Sequence, residues 1–259
     1  PAKVITDIDF ADDIALLSNT TEQAHNLLTQ LEGYAKQIGL HINESKTEYI
    51  CLNQPTNEGL KSSNDTNLKS VTDFVYLGSW IMSGTKDINV RIAKAWTALN
   101  KLEKIWKSNL NLALKIEFFR ATVESVLLYG STTWTLTEKL KRKLDGSYTK
   151  MLRVVQNVTG KDKIPNKLLY GSVLKITTTI AANRLQFSGH CLGSETELVS
   201  KTILWEPTHG TRSRGRPHKT FIDQLEEDSG IQRQSLPEEM RDRTAWRKEV
   251  NFIRLRSME

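Results

Sequence analysis

Apolar and polar positions in the first fifty residues follow two different periods. Short apolar runs on both sides of Ala11-Asp12-Asp13 predict two strands joined by a tight turn. Thr20-Thr21-Glu22 then opens a helix, which either Thr can cap. Its apolar residues with helical spacing stop before Gly39, where a helix can end in a left-handed residue. Short strands are predicted at residues 40–42 and 48–52.

The pattern changes after residue 87, from short extended runs to long helical stripes. Before this point, the Asn-, Thr-, Ser- and Gly-rich stretch at 54–67 predicts a loop, and weak alternation over 71–82 predicts a hairpin followed by Ser83-Gly84-Thr85. Beyond it, apolar stripes predict four helices, at residues 88–106, 112–129, 140–155 and 180–191. Shorter helices are predicted at residues 220–228 and 238–250.

Together these elements predict an α+β fold. A small antiparallel sheet with one helix comes first, a mainly α-helical bundle follows, and an irregular and helical tail comes last. The predicted domain boundaries are 1–60 for the sheet unit, 61–87 for a linker and hairpin, 88–191 for the bundle, and 192–259 for a basic C-terminal extension.

Composition narrows the class of protein. The chain has 259 residues, of which 38% are hydrophobic and 25% charged, as is typical of a globular protein. No apolar run approaches the roughly 18 residues of a membrane span, and the first residues do not form a signal peptide. Two cysteines, Cys51 and Cys191, cannot form a disulfide framework, which predicts an intracellular protein. A first residue that is Pro1 and not Met indicates a fragment of a longer chain.

The charge is distributed unevenly. Residues 1–60 carry nine Asp and Glu against three Lys and Arg, whereas residues 61–200 carry 21 Lys and Arg against 11 Asp and Glu. An acidic first part followed by a basic middle suits a carboxylate metal site beside a track for a polyanion. The alternative is a basic surface that serves solubility.

The sequence Phe10-Ala11-Asp12-Asp13 is the strongest local candidate for chemistry. A turn that exposes two carboxylates suits Mg²⁺, which binds one or two carboxylates together with substrate phosphates. Two-metal phosphoryl transfer needs carboxylates that hold two ions roughly 3.5–4 Å apart. A polar turn without a metal is the alternative.

Several segments resemble reverse transcriptases in the order in which they occur. Residues 8–17, around Asp12-Asp13, resemble the central active-site hairpin of that family, residues 39–47 resemble its next palm motif, and Tyr76-Leu77-Gly78 resembles its primer grip. The C-terminal half is similar to LINE-type (non-LTR) retrotransposon polyproteins, on the segments Leu127-Leu128-Tyr129-Gly130 with Trp134, Arg214-Gly215-Arg216-Pro217, and 242–247.

The resemblance implies an RNA-directed DNA polymerase, a nucleotidyltransferase that uses two Mg²⁺ ions. Asp12 and Asp13 would be metal ligands, and Lys46 would lie near the incoming triphosphate, where it could protonate the pyrophosphate. Tyr76-Leu77-Gly78 would hold the primer end. The partners would be an RNA template, a DNA primer and deoxynucleoside triphosphates. Two alternatives stay open: Lys46 could pair with Glu44 or Glu48, and the Tyr76 segment could be a buried hairpin.

The basic helices would form the thumb of such a polymerase and lie against the phosphates of a template–primer duplex. Their candidate lysines are Lys94, Lys101, Lys104, Lys107 and Lys115. A second basic group, in the tail, comprises Arg212, Arg214, Arg216 and Lys219 and could bind RNA or target DNA. Each group could instead be a solvated surface, and the tail a linker or localisation signal. Trp96 and Trp106 are predicted to be core residues.

The resemblance also implies missing parts. In the family the fingers and the first catalytic Asp precede the Asp-Asp hairpin, and here only nine residues precede Phe10. We therefore expect a truncated polyprotein that is inactive alone. A non-catalytic nucleic-acid-binding protein built on the bundle and tail is the alternative, and an intron maturase is a weaker one. The mechanism implies nuclear access, and RNA packaging would begin in the cytoplasm.

Overall fold

A computed structural model of the chain describes residues 5–52, 59–194, 197–205 and 219–256. It confirms the predicted α+β class, with short two-stranded sheets near the N-terminus and helices after them. The chain divides into two compact units, residues 1–87 and 88–259. No helix among the described residues has the length and apolar character needed to cross a membrane.

The first unit contains three small sheets and one long helix. Strands β1 (Asp7–Phe10) and β2 (Asp13–Leu16) pair antiparallel, and helix α1 (Thr21–Gln37) follows. Strand β3 (Glu48–Tyr49) pairs parallel with β4 (Lys69–Ser70), and β5 (Val75–Tyr76) pairs antiparallel with β6 (Ser79–Trp80).

Helix α1 begins and ends where the sequence predicts. The Thr20 hydroxyl accepts a hydrogen bond from the Gln23 N–H at 3.1 Å, which satisfies one of the unpaired donors of the first turn. After the last turn Gly39 has a φ of 77°, a conformation that glycine adopts without steric cost. The inward side of α1 buries Leu28 against Leu60 and Leu68, the small core of this unit.

One local prediction in this unit is wrong, because residues 40–42 form no strand. The Asn43 carbonyl accepts from the N–H groups of Lys46 at 3.1 Å and Thr47 at 3.0 Å and closes a turn directly after them. The hairpin predicted within 71–82 does form, with its turn at Leu77-Gly78, and the next helix begins at Gly84, before the predicted residue 88.

The second unit is helical. The long helix α2 (Gly84–Lys101), which contains the boundary between the units, leads into it. Its further helices are α3 (Glu103–Trp106), α4 (Leu112–Phe119), α5 (Ser125–Leu128), α6 (Glu138–Val155), α7 (Asn166–Tyr170), α8 (Ile176–Leu192), α9 (Glu197–Ile203), α10 (Phe221–Ser229), α11 (Leu236–Arg241) and α12 (Arg243–Arg256). A π-helical turn, Arg120–Glu124, joins α4 to α5.

One hydrophobic core holds helices α2 to α8 together. Helix α6 buries the stripe that its sequence predicts, including Leu144, Tyr148 and Met151. Trp106 is buried as predicted and its indole N–H donates to the Leu99 carbonyl at 2.8 Å. Trp96 packs against the same core.

A second core joins the C-terminal helices to α8. Helices α10, α11 and α12 bury Leu225, Met240 and Trp246 against Leu185 of α8. The Trp246 indole also donates to the Leu185 carbonyl at 2.9 Å. The described part of the predicted C-terminal extension is therefore folded onto the bundle.

Candidate active site

The hairpin β1–β2 places Asp12 and Asp13 in two different environments. Ala11 and Asp12 form the two-residue turn, and Asp13 is the first residue of β2, opposite Phe10. The predicted three-residue turn is thus one residue too long. Ala11 has a φ of 54°, in the left-handed region where a side chain is strained, as happens often at functional turns.

Both carboxylates are open to a ligand. Asp12 and Asp13 are exposed, and neither has a hydrogen-bond or ion-pair partner within the described part of the chain. Phe10, opposite Asp13, is 62% exposed. The hairpin tip therefore presents two unpaired carboxylates beside an exposed aromatic ring.

The register shows which acidic side chains share a face. Side chains of directly opposite residues lie on one face, so Asp13 lies with Phe10, whereas Asp9 lies with Ile14 on the other face. Across all described residues, no three His, Cys, Asp or Glu side chains come together as metal ligands do.

The structure brings the predicted primer-grip segment to this hairpin. The Tyr76 hydroxyl donates to the Ile8 carbonyl of β1 at 3.0 Å. Leu77 and Gly78 form the turn between β5 and β6 with φ values of 48° and 77°, which is the pattern of a type I′ hairpin turn. Both turn residues are exposed, so the alternative of a buried hairpin does not hold for the turn itself.

Lys46 does not form the ion pairs that were its alternative explanation. Glu44 accepts from the Asn64 side-chain amide at 2.9 Å, and Glu48 pairs with Lys69 at 2.5 Å. Hydrogen bonds from Ser62 and also from Thr66 and Asn64 lower the pKa of Glu44. The Lys46 ammonium has no hydrogen-bond or ion-pair partner in the described ranges, which leaves it available to a ligand.

The residues present fit one magnesium ion better than two. Mg²⁺ accepts one or two carboxylates and completes its coordination with water and substrate phosphate oxygens. Asp12 and Asp13 match that donor set. A pair of ions held for phosphoryl transfer needs a further carboxylate, and the described residues bring none to the hairpin tip.

The predicted lysines of the second unit differ in their availability. Lys94, Lys101 and Lys104 are exposed, and the exposed Lys107 pairs with Glu103. The prediction for Lys115 is wrong. Its side chain is buried, and its ammonium donates to the Trp106 carbonyl at 2.7 Å, one of the carbonyls at the C-terminal end of α3. A buried ammonium is not accessible to the phosphates of a duplex.

The predicted basic residues of the tail are only partly described. Arg212, Arg214 and Arg216 lie outside the described residues. Lys219 pairs with Glu227, and it also donates to the Leu136 carbonyl at 3.3 Å. Burial lowers its pKa, and the nearby charge of Lys141 lowers it further. Any phosphate bound by Lys219 would compete with these bonds.

Comparison with known proteins finds a transposon-derived relative. A Caenorhabditis elegans protein, named as uncharacterized and transposon-derived, is 25% identical to this chain over 240 residues, which cover 86% of this chain and 85% of the worm protein. No family model and no solved structure matches the chain. The likeness is consistent with a transposable-element origin.

A polar cluster that the sequence did not single out lies at the π-helical turn. The Tyr148 hydroxyl donates to the Glu124 carboxylate, with Arg120 nearby on the same turn. Burial raises the pKa of Glu124, and burial together with the Glu124 charge raises that of Tyr148. The available signal was weak: Glu124 lies within the mostly apolar segment that follows Arg120.

Proposed function

We propose that the chain is a segment of an RNA-directed DNA polymerase from a non-LTR retrotransposon. The observation that carries this proposal is the β1–β2 hairpin, whose tip presents Asp12 and Asp13 to solvent without partners. The bond from Tyr76 to Ile8 supports it, because it brings the primer-grip segment to the same hairpin. The transposon-derived relative, which spans most of the chain, is consistent with it.

Each residue has a defined part in this proposal. Asp12 and Asp13 would hold Mg²⁺, which supplies positive charge to the phosphates of the incoming nucleotide. Lys46, unpaired in the described residues, would contact the triphosphate and donate a proton to the departing pyrophosphate. The exposed turn Leu77-Gly78 would contact the primer end, and Tyr76 would position that turn against β1.

The small number of carboxylate ligands limits the catalytic activity that this chain can have alone. Two-metal nucleotidyl transfer needs more carboxylate ligands than Asp12 and Asp13 supply, and none converges with them among the described residues. We infer that the segment is inactive by itself and that a complete enzyme supplies the remaining ligand from another part of its palm.

Primer extension on an RNA template tests the proposal. The 259-residue chain, a DNA primer, the four deoxynucleotides and Mg²⁺ should give no extended product, yet the chain should bind the RNA–DNA hybrid with an affinity that falls as salt rises. Extension that disappears in Asp12→Asn would support the polymerase and overturn the inference of inactivity. Equal extension by wild type and Asp12→Asn, or no binding to the hybrid, would contradict the proposal.

A second candidate function is non-catalytic nucleic-acid binding by the helical unit. It is favoured by the exposed Lys94, Lys101 and Lys104 on a unit that has its own core. Asp12→Asn separates the two functions. Metal binding in the presence of a nucleotide should depend on Asp12 only if the hairpin is a polymerase site, whereas hybrid binding should be unchanged by the substitution in both cases.

A polymerase of this class would work inside the cell. Its partners would be an RNA template and a DNA primer, with deoxynucleotides as substrates. Insertion into genomic DNA would bring it to the nucleus, after assembly with RNA in the cytoplasm.

A further inference from the structure

Helix α8 has one face that packs in the core and one that is open. Its buried side includes Ile180, Arg184 and Leu185. The open side is a row of side chains at helical spacing, namely Thr179, Asn183, Gln186, Phe187 and His190. We refer to this row as the α8 groove face. It extends over about 16 Å, since a helix rises 1.5 Å per residue.

Two hollows lie along this face. The first, of about 230 Å³, is lined by Thr179 together with Arg120, Glu124 and Arg254. The second, of about 370 Å³, is lined by the other four residues of the groove face. Arg254 connects them, because it lines the first hollow and its guanidinium donates to the Gln186 side-chain carbonyl at 3.3 Å.

The groove face carries hydrogen-bonding groups that the fold does not use. Asn183 and His190 have no side-chain hydrogen bond or ion pair within the part of the chain that the structure describes. The Gln186 amide donates to nothing among the same residues. The Asn183 amide, whose donor and acceptor are both open, can make paired hydrogen bonds to a nucleobase edge, and the Gln186 amide can donate one more, so the two suit base recognition.

The remaining chemistry of the face is aromatic and cationic. Phe187 is 44% exposed, although phenylalanine is usually buried. Arg120 and Arg254 line the first hollow, and helix α8 itself contains no Asp or Glu. The one acid in the lining, Glu124, already accepts the Tyr148 hydroxyl.

We propose that the α8 groove face binds single-stranded nucleic acid. A base would stack on Phe187, neighbouring base edges would bond to Asn183 and Gln186, and phosphates would pair with Arg120 and Arg254. Paired bases in a duplex could not do this, because their faces are stacked and their Watson–Crick edges are occupied. The inference is independent of the polymerase proposal, since it uses none of the residues of the hairpin site.

Fluorescence anisotropy with labelled 12-nucleotide RNA and DNA single strands tests the proposal on the full chain. Phe187→Ala should weaken binding about tenfold or more, because loss of one stacking platform has an effect of that size. The matched control is Phe118→Ala on α4, where the ring is 40% exposed and lines neither hollow. This control should bind within about twofold of wild type.

Further variants keep the test independent of folding. Gln186→Glu keeps the size of the side chain and adds a negative charge, so it should also weaken binding to single strands. Both groove variants should keep the wild-type unfolding midpoint in urea, which shows that they fold whether or not the chain binds an RNA–DNA hybrid. The RNA and DNA arms identify which strand is preferred, and a Phe187-dependent affinity for either supports the proposal. Equal affinities for wild type, Phe187→Ala and Phe118→Ala, or no binding of single strands by the wild type, would overturn it.

Discussion

The two units of this chain are held together by different kinds of interaction. In unit 1, residues 1–87, three buried apolar residues form the described core, whereas one cluster in unit 2, residues 88–259, contains twenty. Because its apolar core is small, unit 1 relies more on polar contacts. The buried Glu32 of α1, for example, accepts the Ser63 N–H at 3.0 Å and fixes the segment that carries Leu60 and Leu68.

The contrast shows where stability and chemistry lie. Hydrophobic burial is the dominant favourable term in folding, so the free energy of unfolding is concentrated in unit 2. Unit 1 leaves Phe10, Ile38 and Leu40 more than half exposed and carries the unpaired carboxylates Asp12 and Asp13. A region that keeps reactive groups and strained turns open gives up some of the packing that would stabilise it.

The largest loss in the free energy of unfolding should come from substitution of the buried Arg184 of unit 2. Arg184 is fully buried and pairs with Asp228, and it also donates to the carbonyls of Thr132 and Trp134. Arg184→Met leaves a buried carboxylate without its partner, which typically costs about 3–5 kcal/mol. Urea denaturation measures the loss.

The matched control for that loss is Arg233→Ala. Arg233 pairs with Asp223 at the surface, where both side chains are more than one-third exposed. Such a pair contributes about 0.2–1 kcal/mol. Equal losses from the two substitutions would contradict the view that unit 2 depends on this buried network.

Truncation of a core leucine should sharpen the comparison between the units. Leu28→Ala truncates one of the three buried apolar side chains in the described core of unit 1, and Leu→Ala changes in cores cost about 2–5 kcal/mol. Hydrogen exchange should then accelerate in α1 while α6 stays protected, because the cores around these helices share no residue. Equal acceleration in α6 would show that the two cores unfold together.

Substitutions of Ala11 in the strained turn of the β1–β2 hairpin should change the free energy of unfolding less. Ala11→Gly should change stability by less than about 1 kcal/mol, because relief of the left-handed strain is offset by the greater freedom of glycine in the unfolded chain. Ala11→Val should destabilise the hairpin more, since a branched side chain tolerates a positive φ poorly. Hydrogen exchange of β1 and β2 measures both, and a Val variant as protected as the Gly variant would contradict the assigned turn.

The smallest effect should be a pH dependence from Glu124. Burial raises its pKa, so above the usual value the folded state binds more protons than the unfolded state and loses stability as the pH rises toward the folded pKa. Glu124→Gln cannot titrate and should remove that part of the slope. Denaturation midpoints between pH 4 and pH 8 measure it, and identical slopes for both proteins would contradict a raised pKa.

The spacing of apolar residues was sufficient to predict a long helix that has one buried face. The stripe from Leu140 to Val155 is buried as predicted, because a helical repeat needs no knowledge of its partner. The strand predicted at 40–42 does not form, because a strand needs a partner and the local sequence does not show one. The neighbouring strand β3 pairs with Lys69–Ser70, which lies far along the chain from it. The hairpin at Asp12 was predictable because both its strands and its turn are local.

The remaining features could not be predicted from the sequence, because their interaction partners are distant along the chain. Arg184 receives its partners from the loop before α6 and from α10, and no local pattern shows that these two segments will meet at a single guanidinium. Lys115 was expected on the surface because lysine usually is, yet the end of α3 supplies a carbonyl that keeps its ammonium buried. The open amides on α8 carry no motif, and only the packing of its other face reveals them.

The central claim is that Asp12 and Asp13 form a metal site for a nucleotide, and Mn²⁺ binding tests it most directly. Titration of Mn²⁺ followed by electron paramagnetic resonance, with a deoxynucleoside triphosphate and the RNA–DNA hybrid present, should show a bound ion in the wild-type chain. Asp12→Asn should weaken that binding about tenfold or more, whereas Asp7→Asn, at the far end of the same hairpin, should leave it unchanged. Equal Mn²⁺ affinity in wild type, Asp12→Asn and Asp7→Asn would contradict the claim.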